Sequence, residues 1–496
     1  MSTVLNSRLS LPDSFESCYL EYNGIMPLET TETHVRIAAV GEPDPDVLAD
    51  LERDFGRPVE LVPVSEAELA EGIRRAYAAA ESIVEVVNDL QRHQGLSGTD
   101  DHELADARDL ASQPPIVKYV NLLIKEAHDA RASDIHLEST GQGLRARFRV
   151  DGVLADAPAP PHQAQAAIVS RVKLLAELDI AERRSPQDGS FRIRLEAREL
   201  DIRVSSVPTL FGESVVLRLL DRGGQPVGLD ELGMAPAILE QFRALAARPT
   251  GIVIAAGPTG SGKTTTLYSA LALRDTVSEK VITVEDPVEY HVGGVTQIPV
   301  NRKAGMTFAS ALRSVLRQDP DVMMVGEMRD PETAEGAVQA AMTGHLVFST
   351  LHTNDAPSAV TRLLDLQVAP YQIAATINGV LAQRLVRRIC PHCRERYRPD
   401  PQVVSFVSGE PEGKPTLVRG RGCEACHDTG YLGRMGIFEL LVVSETLNRA
   451  ISGKEPLAKL RELAVTEGMH LMKHDGWVKV QAEITTVEEV LRVTAH

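Results

Sequence analysis

The run Gly257-Pro258-Thr259-Gly260-Ser261-Gly262-Lys263-Thr264 constrains this chain more than any other stretch. It follows an apolar, strand-like segment, Ile252-Val253-Ile254-Ala255-Ala256, and continues through Thr265 into helix-competent sequence. Glycines let successive backbone N–H groups turn inward around an anion, and a helix that starts there adds the positive end of its dipole. Lys263 supplies a point charge to outer phosphate oxygens, and the Thr264 hydroxyl is a ligand for Mg²⁺. A glycine-rich connector with an incidental lysine is the bland alternative, and the strand-to-helix setting disfavours it. The segment therefore predicts a nucleotide-phosphate site.

At 496 residues the chain is too long for one core, and roughly 150 residues per domain suggests three or four units. Hydrophobic content of 43% and charged content of 24% are ordinary for soluble globular protein. A formal net charge of −17 argues against a global nucleic-acid binder. Met1 to Pro12 lacks the basic start and apolar core of a signal peptide, and no apolar run approaches the ~18 residues of a membrane helix. Contact with a membrane is expected to pass through a partner protein.

Residues 1–92 mix short strands and helices: His34 to Val40 reads as a strand, Val47 to Phe55 and Glu66 to Leu90 as helices. With no catalytic cluster, they read as a docking domain. Residues 93–113 carry five acids and one arginine between 100 and 111, an extended linker. Residues 114–226 form a second unit. There Leu144, Ala146, Phe148 and Val150 alternate with Arg145, Arg147 and Arg149, and 181–222 holds eight arginines and no lysine. Arginine without lysine suggests bidentate pairing with carboxylate or phosphate. Arg218 interrupts Val215-Val216-Leu217-Arg218-Leu219-Leu220, which otherwise reads as a strand buried on both faces. It needs a partner there, either an acid such as Asp201 or Asp221, or a phosphate from the next unit.

From 229 to 388 the pattern repeats strand, loop, helix, with apolar runs at 252–256, 281–284, 322–325 and 346–350. That predicts an α/β core with a parallel sheet and functional residues at the carboxyl ends of its strands. Glu285-Asp286-Pro287-Val288-Glu289 follows the second run and Gly326-Glu327 the third. Glu327 is the expected base that orients or deprotonates an attacking water. Many phosphate-loop enzymes carry aspartate just before that glutamate. Here Gly326 stands in its place, so Glu285 or Glu289 is expected to serve the metal. His345 and His352 bracket the fourth run and could sense a terminal phosphate, or be satisfied structural histidines. Positive charge for the departing phosphate could come from Arg313, Arg317 and Arg362, or from Arg203 and Arg218 if the second unit closes over the nucleotide.

Four of the five cysteines form two knuckles, Cys390-Pro391-His392-Cys393 and Cys423-Glu424-Ala425-Cys426. Four thiolates in this pattern suit a closed, tetrahedral Zn²⁺ site over 389–436, with a helical region at 437–496. His392 or His427 keeps a three-cysteine variant open. Cys18 is given no role. Arg384, Arg387, Arg388, Arg394, Arg396 and Arg398 around the first knuckle read as a solvated basic face.

Together these features resemble the secretion ATPase superfamily, most closely its type II secretion ATPases, with the type IV pilus assembly ATPases sharing nearly all of them. The resemblance rests on the phosphate loop, Thr283 to Tyr290, Leu316 to Asp321, Gly344 to Asn354 and the four cysteines. It extends to Ala132-Ser133-Asp134-Ile135-His136, Arg149-Val150-Asp151-Gly152 and Pro186-Gln187-Asp188-Gly189. It implies a RecA-like core, a preceding PAS-like unit and a zinc insert. It also implies a hexameric cytoplasmic motor on an inner-membrane platform, docked through its first domain on a membrane-anchored partner, that hydrolyses ATP to drive pseudopilus assembly. On that resemblance the family's Asp box falls on Glu285 to Glu289, its Walker B acid on Glu327 and its His box on 345–352. Its nucleotide-contacting arginines match Arg203, Arg218, Arg313, Arg317 and Arg362. Pilus extension, a non-hydrolysing scaffold and a nucleic-acid translocase are the alternatives.

Overall fold

Alternating apolar and polar residues in the first half of the chain, and unbroken apolar runs in the second, build two kinds of sheet. The computed structural model describes residues 23–30, 34–41, 43–66, 109–195, 198–221, 227–408 and 416–495, with single positions between 20 and 90 besides. Most of the expected helix 66–90, most of the linker 93–113, and Cys18 lie outside the described residues.

The first sheet holds β1 (Ile25–Thr30), β2 (Val35–Ala39) and β3 (Val59–Pro63), with β2 paired antiparallel to β1 and parallel to β3. The helix Pro45–Phe55 makes the crossover, and Ile25, Ile37, Leu51 and Leu69 close the core. The second sheet is antiparallel, ordered β6-β5-β4-β9-β8-β7. Its strands are β4 (Ala132–Thr140), β5 (Gly143–Val150), β6 (Val153–Asp156), β7 (Gln187–Leu195), β8 (Arg198–Thr209) and β9 (Gly212–Asp221). One face buries Ile135, Leu137, Ala146, Ile202, Val215 and Leu217 beneath the helices Pro114–Asp129 and Gln165–Leu175. Ile83, Val86, Val87 and Leu90 join this core, so it crosses the boundary expected near residue 92. The larger apolar face captures those side chains.

The other face of the second sheet is polar, which revises the reading of β9. Val215 and Leu217 are buried, but Arg218 points away with its side chain 56% exposed. Helices cover one face only, so alternate residues meet solvent or a neighbouring unit. Inside, Lys173 and Glu213 form a buried ion pair at 2.7 Å, and the Ser206 hydroxyl donates to the same carboxylate at 2.9 Å. Glu213→Ala leaves the buried ammonium the Glu182 carbonyl at 2.7 Å but no counter-charge, and is expected to cost about 3 kcal/mol, read as a lower denaturation midpoint. An unchanged midpoint would mean that water reaches Lys173.

The third sheet is ordered β12-β11-β13-β14-β10-β15-β18. β10 (Gly251–Ala256), β11 (Val281–Glu285), β12 (Thr296–Pro299), β13 (Val322–Val325), β14 (Leu346–Leu351) and β15 (Ile377–Ile389) run parallel. β18 (Tyr431–Val442) closes the edge antiparallel to β15. β10, β13 and β14 are buried at every position, because helices cover both faces. Pro236–Ala246 and Lys263–Leu271 lie on one side, and Pro331–Met342, Ser358–Asp365 and Pro370–Thr376 on the other. A small ribbon of β16 (Arg394–Tyr397) and β17 (Leu417–Gly420) sits within the excursion from β15 to β18. The boundary expected at 436 thus falls inside β18. Leu447, Leu460, Met472, Val480 and Val487 of the following helices belong to the core of this same sheet. Among the described residues, no helix is long and apolar enough to cross a membrane.

Candidate nucleotide site and metal centre

Parallel strands bring their carboxyl ends to one edge, and the glycine-rich loop leaves that edge from β10. At Gly257 (φ +149°) an added Cβ would stand 2.5 Å from Ser261 Oγ and 2.6 Å from the Gln383 carbonyl oxygen. Only glycine lets the loop turn so tightly. Gly262 (φ 89°) caps the helix Lys263–Leu271, and no side chain occupies its cap, so the first-turn N–H groups are left for an anion. Lys263 Nζ donates to the Gly257 and Pro258 carbonyls at 2.8 Å each. Burial pulls its ammonium down to about 8; Glu327 opposes that fall and Arg384 adds to it. Thr264 and Thr265 follow, half-buried. Gln383, which sequence reasoning missed, braces the loop from β15: its Nε2 donates to Ser261 O (2.7 Å) and its Oε1 accepts from the Thr266 hydroxyl (2.8 Å).

Glu327 stands two residues past the end of β13, which β14 separates from β10, or about 10 Å sideways. Its Oε2 lies 2.6 Å from Arg329 Nε and 3.5 Å from His352 Nε2. Burial, then the Lys263 charge, lowers the His352 imidazole below its usual value, while Glu327 resists. A Cβ at Gly326 would come 3.2 Å from the Val284 carbonyl, a tight fit that suits the glycine found there.

The two other acids separate by environment. Glu285 is 3% exposed and accepts from Thr283 Oγ1 (2.6 Å), Gln297 Nε2 (3.1 Å) and the Tyr268 hydroxyl. Its carboxylate is spent on that cluster. Glu289 is half-buried; burial raises its carboxyl, Arg203 and Arg218 pull it back, and Glu285 adds to the rise. That charge coupling joins the third sheet to the polar face of the second. On that face Arg203 and Arg218 are cross-strand partners, and Arg218 Nε holds Asp134 Oδ1 at 2.9 Å. Asp134, rather than the expected Asp201 or Asp221, is its acid; Asp201 lies 3.7 Å from Arg192 Nε. Asp151 ties the two units further, accepting from Gly433 N (2.9 Å) and standing 3.4 Å from Arg434 Nε.

Other expected site residues are not gathered here. His345 precedes β14 at its amino end, a strand length of roughly 20 Å from the phosphate loop. Its Nδ1 meets the Ala340 carbonyl at 2.8 Å, a structural contact. Arg313 pairs with Glu332, and Arg317 donates to the Arg313 carbonyl at 2.9 Å. Both are exposed, as is Arg362 on the helix Ser358–Asp365. The basic stretch is not a solvated face throughout: Arg384 is buried, and Arg387 pairs with Glu489 at 2.6 Å beneath Tyr431.

The four knuckle cysteines converge. Their Sγ atoms lie within 4.8 Å of one another, at 3.6 Å (Cys423–Cys426), 3.8 Å (Cys390–Cys423) and 3.9 Å (Cys393–Cys426). Thiolates about 2.3 Å from a tetrahedral ion stand ~3.8 Å apart, so the cluster can chelate a metal. Burial pushes the Cys393 thiol up to about 12. It pushes Cys426 upward too, but N–H groups of Cys423 and Gly430, each 3.2 Å from its sulfur, help bring it to about 7.

Residues 109–492 match the family described as Type II/IV secretion system protein, and residues 5–83 match the MshEN domain. Type II secretion system protein E of Xanthomonas campestris pv. campestris is 46% identical over 459 residues, 92% of this chain and 80% of that protein. Type IV pilus assembly ATPase PilB of Myxococcus xanthus is 40% identical over 488 residues, 95% of this chain and 86% of that protein. The solved structure of the pilus retraction motor PilT with bound ADP is similar at 28% identity and a TM-score of 0.51, covering 75% of this chain and 96% of PilT.

Proposed function

This chain belongs to the type II/IV secretion system protein family, and on that premise we propose that it is the hexameric ATPase motor of a type II secretion system. It acts at the cytoplasmic side of the inner membrane and drives pseudopilus assembly. Membership makes it an ATP-hydrolysing enzyme of the secretion and pilus-assembly class. One observation carries the reading to this chain's residues: an uncapped, glycine-built loop with a buried lysine shares a sheet edge with Glu327.

The RecA-like core starts at 229 and takes in β18 and the helices after it, and 114–226, with Ile83, Val86, Val87 and Leu90 packed onto it, is the PAS-like unit. Residues 1–92 dock on the cytoplasmic part of a membrane-anchored partner, through which, with a platform protein, the motor reaches the membrane. Gly257 to Gly262 and Lys263 hold the phosphates, while Thr264 is placed for Mg²⁺, which when bound offsets phosphate charge. Glu327 orients the attacking water, with Arg329 and His352 holding its carboxylate. Glu289 serves the metal side, since the Glu285 carboxylate is already filled. Arg203 and Arg218 reach over from the second sheet. Arg313, Arg317 and Arg362 face outward, the placement expected if each serves a neighbouring copy. Cys390, Cys393, Cys423 and Cys426 hold Zn²⁺ as a structural clamp. No nucleic acid is required.

Phosphate release by the full chain with ATP and Mg²⁺ tests this, with and without the membrane partner's cytoplasmic domain. Release that the partner stimulates is expected; none in either state sinks the motor reading. Arg218→Ala is expected to lower turnover at least ~10-fold with KM within about threefold. Unchanged turnover would leave Arg218 only as the partner of Asp134.

A further inference from the structure

Arg384 is 9% exposed, and among the described residues no carboxylate pairs with it. Its Nη2 donates to Asn354 Oδ1 at 2.9 Å, and its Nε is buried with no partner. Three residues along the same strand, Arg387 has the Glu489 carboxylate that Arg384 lacks. A buried guanidinium without a counter-charge is costly, and such a charge is retained where a ligand completes it.

The strand order shows where that ligand must lie. β15 flanks β10 on one side and β14 flanks it on the other. Arg384 stands two residues past Ala382, which is level with Ala256, and Asn354 follows the end of β14. To reach Asn354, the Arg384 side chain crosses the end of β10, where Gly257 opens the phosphate loop. Lys263 feels its charge there. Two cations thus share one side of the loop.

We propose that Arg384 is a phosphate-binding residue of this site, turning its guanidinium to the terminal phosphate of ATP while Nη2 holds Asn354. Resting on the ATP-site reading above, this makes Asn354 the side chain that positions Arg384. Asn354 lies between His352, beside Glu327, and Asp355, which pairs with Arg461 of the helix Leu457–Thr466. Next along, Ala356 N donates to Glu439 Oε1 (2.9 Å), whose Oε2 accepts from Met472 N (3.1 Å).

The test is titration of the full chain with a fluorescent non-hydrolysable ATP analogue and with fluorescent ADP, both with Mg²⁺. Arg384→Gln is expected to weaken the analogue about 10–100-fold, the span of a charge-assisted hydrogen bond, and to change ADP less than about threefold. Asn354→Asp, nearly isosteric, gives Arg384 an internal acid and is expected to produce the same selective loss should the first variant fail to fold. An unchanged preference between analogue and ADP in whichever variant folds overturns the assignment. Wild-type chain that binds neither nucleotide refutes instead the ATP site beneath it.

Discussion

Glu327→Gln is expected to cut phosphate release by about 10²–10⁴-fold while ATP still binds. The amide keeps the shape of the carboxylate but cannot accept a proton from water. Glu327 is suited to that task by place and surroundings. It lies two residues past a fully buried strand, its side chain is 13% exposed, and its contacts are made through one oxygen, Oε2, toward Arg329 and His352. The imidazole is lowered below its usual value by burial and by Lys263, so near neutral pH it is an uncharged neighbour and does not neutralise the acid. Binding should survive because the loop and Lys263 hold the phosphates from β10, across β14. Lys263→Ala is the contrast, losing affinity as well as turnover. If Glu327→Gln turns over within threefold of wild type, the base lies elsewhere, and Glu289 becomes the residue to test.

The second large effect concerns the cysteine cluster. Cys426→Ser is expected to take metal content from about one ion per chain to near zero, measured by elemental analysis. Hydrogen exchange at the knuckles, 390–394 and 421–430, should rise toward that of unstructured chain while β10 stays protected. Val407 of the helix Pro401–Ser408 and Leu417 pin the middle of this excursion to the core of the third sheet, and the Tyr397 hydroxyl donates to Glu488 at 2.8 Å, but little else holds the knuckles themselves. The β16–β17 ribbon has two strands of four residues, and a lone two-stranded ribbon is marginal in water. The local apolar cluster is built from the cysteines themselves with Leu432. Structural zinc contributes on the order of 10–16 kcal/mol of folding free energy in small domains, more than such a ribbon supplies. Cys426 is the most telling ligand to remove, because the Cys423 and Gly430 N–H groups already stabilise its thiolate. Equal metal content in variant and wild type would remove the structural-ion assignment.

Much of the chemistry was legible in one dimension because it depends on residues close together in the chain. The phosphate loop needs glycines, a lysine and a threonine in consecutive order, and the knuckles need cysteines three apart. The apolar runs at 252–256, 281–284, 322–325 and 346–350 are the strands β10, β11, β13 and β14, since burial on both faces leaves an unbroken apolar signature. Periodicity misled where burial depended on distant chain. Arg218 interrupts an apolar stretch that is covered on one side only. Arg384 lies among arginines that look solvent-facing, yet β10 and the loop after β14 enclose it. Ile83, Val86, Val87 and Leu90 follow the first unit in sequence but pack into the second, where more apolar surface is open to them.

The two histidines mark the division most clearly. His345 and His352 are equivalent in sequence, one at each end of an apolar run. Only the parallel pairing of β14 with β13 and β10 decides that His352 stands beside Glu327 while His345 is a strand length away. Likewise Glu285 and Glu289 differ only in what surrounds them: Tyr268, Thr283 and Gln297 converge on the first, and arginines from another sheet face the second. Sequence alone determined which chemical groups this protein owns and the local backbone shapes that suit a phosphate or a metal, because turns and knuckles close over a few residues. Tertiary structure decided which acids, histidines and arginines share a pocket, because burial and electrostatic coupling depend on distance in space.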